Sequence, residues 1–261
     1  IHIATQHAIL PTRHVVILDK NAKAELIEMF VSPEKHAYFT NSVAEIFVGE
    51  NAELTLYKVQ QEGENAYHFG GTYIQQAKHA RFIHHNFVLG SLLARSDIVS
   101  DLETAAECEL NGLYLGSQTQ HLDNLTRINH KQPHGISREF YKGILNDNAR
   151  GVFQGRIVVA ENAQKIDSQM NNRNLLLSEN AEVDTKPQLE IYADDVKCSH
   201  GVTVGQLDEK SIFYLQSRGI DEETAKHILT FAFANEMVDK IEFEPLKKQL
   251  EMQLLSRFPT M

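Results

Sequence analysis

Cysteine is scarce, basic charge is outnumbered and long apolar runs are absent, and each shortage excludes something. The 261 residues hold two cysteines, Cys108 and Cys198, too few for a disulfide framework or a four-thiolate zinc site, so a reducing compartment is expected. Lys and Arg number 25 against 35 Asp and Glu, a net charge of −10 with no basic block. That balance argues against nucleic acid or an anionic membrane as the main partner. No apolar run approaches the roughly 18 residues of a membrane span, and no signal peptide is read. A phosphate loop of the G-x-x-x-x-G-K-[ST] type, a dinucleotide fingerprint, a G-x-S-x-G elbow and an H-E-x-x-H pair are all missing. An ATP-driven role would therefore need another subunit to hydrolyse the ATP. The expectation is a cytoplasmic protein. The opening Ile1-His2-Ile3-Ala4, without an initiator Met, adds the expectation of an N-terminal region ahead of it.

What is present, from residue 1 to 204, reads as β-structure. Apolar and polar residues alternate in short runs, which puts alternate side chains on one face of a strand: Ala44, Ile46, Val48; Ala52, Leu54, Leu56; Ala106, Cys108, Leu110; Leu175, Leu177; Leu189, Ile191. Many runs follow a similar turn, at Asn21-Ala22, Asn51-Ala52, Asn148-Ala149, Asn162-Ala163 and Asn180-Ala181. Asn tolerates left-handed conformations, and the small Ala after it can enter a tight interior. Turn-then-strand units at irregular spacings of about 14 to 30 residues suggest a solenoid. Without crossover helices a doubly wound fold is excluded, and a parallel β-helix satisfies the pattern, with a β-sandwich as the alternative. The spacing is too irregular for a strict hexapeptide repeat.

From 205 to 261 the pattern turns helical. Asp208 can cap a helix from Glu209 to Arg218 that stops at Gly219, and Asp221 can cap a second, with Glu222 and Glu223 in its first turn. The second helix carries an apolar stripe at Ala225, Ile228, Leu229 and Ala232. Pro245 is placed to open a third, with Leu246, Leu250 and Leu254 in line. So small a helical domain has no core of its own and must dock, on the β-body or on another protein.

The densest chemical cluster is Asp194-Asp195-Val196-Lys197-Cys198-Ser199-His200-Gly201. On an extended strand Cys198 and His200 share a face about 7 Å apart, where a thiolate and an imidazole could hold a metal or a sulfur species. Two ligands do not fill a coordination shell, so another chain or other residues would complete it. Cys108, in register with Ala106 and Leu110, reads as an inward-packing small hydrophobe. His121, His130 and His134 match no zinc spacing, the side chains of His84 and His85 diverge on a strand, and all five read as structural. Asp194 and Asp195, read as neighbours on a strand, would face opposite ways, whereas a glycosidase pair must converge.

Longer words then carry a resemblance. The stretches Gln169 to Ser178 and Thr185 to Gly201, with Thr203 to Glu209, Phe213 to Ile220, Tyr141-Lys142-Gly143 and Val152 to Ile157, resemble the SufB/SufD family of iron–sulfur cluster assembly proteins, most strongly over about residues 120 to 235. Within the family the chain resembles the SufD branch more than the SufB branch. Ser199-His200-Gly201 stands where SufB carries a Glu-His-Glu-Ala-type sequence, and the cysteines expected of a SufB scaffold are missing. The resemblance implies a right-handed parallel β-helix, a C-terminal helical domain and an N-terminal helical region outside this sequence. It implies a non-catalytic subunit that pairs with SufB through the end of the β-helix and binds the SufC ATPase through the C-terminal helices, about 206 to 238. Gly205, Phe213, Tyr214, Leu215, Arg218, Ile228 and Phe231 are the SufC-docking candidates, and the SufS and SufE sulfur donors are indirect partners. No cofactor would reside on this chain alone; a transient iron–sulfur cluster would form at the SufB interface, with His200 as a ligand and Cys198 aligned with the SufB cysteine that receives sulfur. Two other readings stay open: an architectural subunit without ligands, and a β-helix lyase or hydrolase using Asp194, Asp195 and His200.

Overall fold

The computed structural model describes residues 2–3, 8–32 and 36–258. Its described residues form two parallel sheets. One contains β1 (His2–Ile3), β3 (Lys23–Val31), β5 (Glu53–Gln61), β7 (Arg81–Val88), β9 (Glu107–Gly116), β11 (Ile136–Leu145), β13 (Asp167–Leu176) and β15 (Lys197–Gly205). The other contains β2 (Ile9–Leu18), β4 (Phe39–Val48), β6 (Tyr67–Gln76), β8 (Leu93–Leu102), β10 (His121–His130), β12 (Arg150–Val159) and β14 (Glu182–Ile191). Each strand pairs with the strand two places along the chain, so the backbone alternates between the sheets and climbs one rung per coil. This is the parallel β-helix, and the wholly parallel pairing removes the sandwich alternative.

Alternation within each strand sends every second side chain into the space between the sheets. Stacking in register then builds columns. Val16, Ile46, Ile74, Ser100, Ile128, Ile157 and Leu189 form one, on the even-numbered strands. Ala24, Leu54, Phe82, Cys108, Ser137, Ser168 and Cys198 form another, on the odd-numbered strands. Burying a side chain of Val, Leu or Ile size stabilises by about 1.5–3 kcal/mol, and the interior cluster from Leu18 to Ala193 repeats this along the axis. Leu175 and Leu177 share a face as expected, but it is the outer one, where they pack beneath the helices.

The turns follow a rule of their own. Four of the five alanines after the Asn residues are buried as expected, Ala52, Ala149 and Ala163 to 1 % exposure or less and Ala181 to 5 %, and Ala22 is half-buried. Left-handed backbone occurs at Asn21 and Asn51, but elsewhere at His79, Ala105, His134, Asp147 and Lys165 rather than at Asn148, Asn162 or Asn180. The cause is tertiary. In six of these turns the amide of the left-handed residue donates to the turn of the next coil, Asn21 to Glu50, Asn51 to Lys78, His79 to Thr104, Ala105 to Pro133, His134 to Gln164 and Lys165 to Asp195. A hydrogen bond repeated coil after coil outweighs the modest cost of a left-handed non-glycine residue.

Three helices follow the strands: α1 (Glu209–Gln216), α2 (Glu222–Val238) and α3 (Glu244–Arg257). Asp208 caps α1 through the amides of Lys210 and Ser211, Asp221 caps α2 through Thr224, and Pro245 opens α3. The first helix ends two residues earlier than expected and turns at Gly219, whose φ of +88° favours glycine. The stripe expected on α2 is partly wrong. Ala225 is buried but Ala232 is exposed, and the buried face is Ala225, Thr230, Ala234, Met237 and Val238. The sheet decides this: Tyr57, Val59, Phe87, Leu113, Leu115 and Ile144 on its outer face receive the C-terminal half of α2 and the Leu246, Leu250, Leu254 row of α3. Lys142 fastens the contact, its Nζ donating to the Phe233 carbonyl at 2.8 Å and to the Glu236 carboxylate, 4.1 Å from the Phe233 ring centroid. No residue of α1 is buried.

Candidate functional site

The sheet order places β14 and β15 last in their sheets, so the solenoid ends on two unpaired strand edges. On β15 the inward column positions are Cys198, His200 and Val202, in register with Ser168, Met170 and Asn172 of β13. Those three are completely buried. One coil further on, no described strand lies above the same positions, so Cys198 is half-buried and His200 exposed. Exposure of an inward-facing side chain is the signature of an end, not of an outer surface. The Lys197 amide donates to the Ile166 carbonyl at 2.8 Å. Amides alternate in direction along a strand, so those of Cys198, His200 and Val202 face the open edge. The other edge is blunter: the Glu182 and Tyr192 amides donate to the Ala149 and Val159 carbonyls on the β12 side, so Pro187 falls among the open-side positions, where its missing N–H costs no ladder bond.

Cys198 packs against the interior cluster while remaining half-buried. Burial pushes its thiol up, the Asp167 carboxylate adds to this, and a hydrogen bond to the Ser168 backbone opposes it. A neutral thiol next to an exposed imidazole can become a soft–borderline donor pair when a metal displaces the thiol proton. Among the described residues no group of three or more His, Cys, Asp or Glu is arranged to hold a metal.

Several candidates are placed elsewhere. Asp194 and Asp195 lie in a bend, not on a strand as expected. Asp195 pairs with Lys165, its carbonyl takes the Lys165 amide at 2.6 Å, and its own amide donates to Gln164 Oε1 at 2.9 Å. It completes the last rung of the turn ladder. Cys108 is buried, and burial pushes its thiol up to about 12. His84 points inward against Phe82, while His85 points outward and stacks on Tyr57 at 5.0 Å. His121, His130 and His134 do not converge: His121 is on the outer face, His134 occupies a turn, and His130 is buried with Nε2 2.9 Å from Ser137 Oγ. Reasoning from local sequence missed this last contact. The only signal was the coil period, which puts Ser137, Ser168 and Cys198 in one column.

Of the docking candidates, Phe213 and Tyr214 are 71 % and 58 % exposed. Arg218 lies over the Tyr214 ring at 5.3 Å, and Gly205 is exposed at the end of β15. Leu215, Ile228 and Phe231 are half-buried, Phe231 at the margin of the helix–sheet cluster. A cleft of about 730 Å³ separates α1 and the start of α2 from the β13–β14 turn.

The chain is thus a parallel β-helix with helices on one face and two donor side chains at an open end. Comparison with known proteins specifies its family. Residues 1–233 match the family described as SUF system FeS cluster assembly, SufBD core domain. Iron-sulfur cluster assembly protein SufD of Escherichia coli is 40 % identical over 248 residues, 95 % of this chain and 59 % of the relative. A SufBD family protein of Synechocystis is 36 % identical over 91 % of this chain and 54 % of its own length. The chloroplastic protein ABCI7 of Arabidopsis thaliana is 32 % identical over 91 % and 50 %. The chain belongs to the SufB/SufD family of iron–sulfur cluster assembly proteins and resembles its SufD branch. It spans about half to three fifths of the length of these relatives. Among the described residues no helix is long and apolar enough to cross a membrane.

Proposed function

We propose that this protein is a non-catalytic subunit of a SufBCD-type complex, pairing with SufB through its open solenoid end so that a nascent iron–sulfur cluster is built between them. The observation that carries the reading is the exposure of Cys198 and His200 at inward positions of an unpaired edge strand. A facing chain would cover the edge, complete the coordination shell and exclude water in one step. In this reading His200 offers a neutral imidazole nitrogen to iron. Cys198 offers sulfur, and its proton departs to solvent at the open edge when metal binds. Iron and sulfur are cargo, the sulfur coming indirectly through the SufS and SufE donors.

The SufC ATPase docks on the C-terminal helices, about residues 206 to 238, through Gly205, Phe213, Tyr214, Leu215, Arg218, Ile228 and Phe231, within a helical domain counted from residue 205. Two large exposed aromatics on a helix that buries nothing support this. ATP binding would draw two SufC subunits together and pull on α1, distorting the SufB contact and opening Cys198 and His200 to iron and sulfur. A cytoplasmic setting, without nucleic acid or membrane, suits the acidic charge.

The test is co-purification with SufB and SufC followed by anaerobic reconstitution with iron and sulfide. A stable complex whose iron–sulfur absorbance falls in His200→Ala is expected. Unchanged absorbance would make the chain an architectural partner, and failure to form a complex would overturn the pairing itself.

A further inference from the structure

Beneath Cys198 the inward column turns polar. Ser137 and Ser168 are buried to 1 % and 0 % exposure, where the same column earlier in the chain packs Leu54 and Phe82. Their hydroxyl oxygens are 2.5 Å apart, and Ser137 Oγ is 2.9 Å from Nε2 of His130, which reaches across from β10 at 1 % exposure. A buried polar group without a partner costs about 1–3 kcal/mol, so bonding the three into one chain removes most of that cost.

The chain has a direction. His130 Nδ1 has no partner among the described residues and abuts Gly135, where a Cβ would stand 2.5 Å from it. A buried ring lone pair left bare is tolerated better than a buried N–H left bare, so the ring proton sits on Nε2. Burial holds the imidazole neutral, with its pKa lowered to about 4. Nε2–H then donates to Ser137 Oγ, and the Ser137 hydroxyl donates to Ser168 Oγ. The Ser168 O–H remains as the free end. The next inward position is Cys198, paired in register with Ser168 at one strand spacing, about 4.8 Å, and its sulfur is already tied to the Ser168 backbone.

We propose that His130, Ser137 and Ser168 are positioning residues, a buried donor chain that presents the Ser168 O–H to the Cys198 sulfur and orients that sulfur toward a soft metal ion. Its purpose rests on the reading of Cys198 as a sulfur ligand; its geometry does not. A hydroxyl donating to a metal-bound thiolate is a charge-assisted bond, and polarisation along the chain strengthens each link. No bond is made or broken within the chain.

The experiment needs no cluster. Long-range proton–nitrogen NMR on 15N-histidine-labelled protein reads the His130 tautomer, and methylmercury then converts Cys198 to a mercury thiolate, releasing its proton to solvent. The expected results are an Nε2–H tautomer and a His130 resonance that shifts on labelling. The shift should vanish in Cys198→Ala and in Ser168→Ala, with folding checked by circular dichroism; Ser137→Ala breaks the chain one link earlier should Ser168→Ala not fold. An Nδ1–H tautomer would overturn the proposal, as would a shift that survives both serine variants. Failure of the functional reading would appear separately, as a cluster yield in the complex that Cys198→Ala leaves unchanged.

Discussion

At the scale of single residues the solenoid interior is less uniform than an aliphatic core. Glu139 is buried in it, and burial, only partly opposed by the Thr126 hydroxyl, pushes its pKa from 4.5 to about 7. Between those values the unfolded chain has lost its proton and the folded chain has kept it, so stability falls as pH rises from about 4.5 to 7, by about 3 kcal/mol in all. Glu139→Gln should remove this dependence. Its urea midpoint should gain on the parent at pH 8 relative to pH 4, and a constant difference between the two proteins would contradict the assignment. Gly112 shows the opposite constraint, lack of space. A Cβ there would stand 2.1 Å from the Tyr141 ring, so Gly112→Ala should destabilise by about 1–3 kcal/mol, read as a lower melting temperature. Much at this scale was legible in advance, including inward packing by Cys108 and divergence of His84 from His85. The His130–Ser137–Ser168 contact was not, because its members are adjacent only after the chain has gone round a full coil.

At the scale of elements, the helices divide by what they bury. Leu250 is 1 % exposed beneath α3, and Leu250→Ala should cost about 2–5 kcal/mol of stability. Phe213 and Tyr214 on α1 touch no core, so replacing both with Ser should leave the melting temperature within about 1 °C, consistent with surface changes of at most ~0.5 kcal/mol, while abolishing SufC capture in a pull-down. Retained capture would remove α1 from the docking surface. The caps Asp208 and Asp221 and the start at Pro245 were visible as residue types because capping is local chemistry. The buried face of α2 was not: Ala232 belongs to a good apolar stripe, yet the outer face of the sheet accepts the turn beginning at Ala234 instead.

For the whole molecule the decisive feature is that a stack of identical rungs has ends. Edge strands invite pairing, and the β14 edge is dulled by Pro187 among its open-side positions. Pro187→Val should restore a donor and promote edge-to-edge association, seen as concentration-dependent sedimentation of an otherwise normally folded chain; purely monomeric behaviour would show that the edge is protected by other means. Alternation, turn composition and helix caps were enough to derive a parallel β-helix with C-terminal helices, because side-chain period and capping depend on neighbours within a few residues. Which turn residues turn left-handed, which face of α2 is buried, and that Cys198 and His200 are inward groups laid bare at an open end were decided by tertiary structure. These depend on register between strands about thirty residues apart, and register exists only when one coil lies on the next.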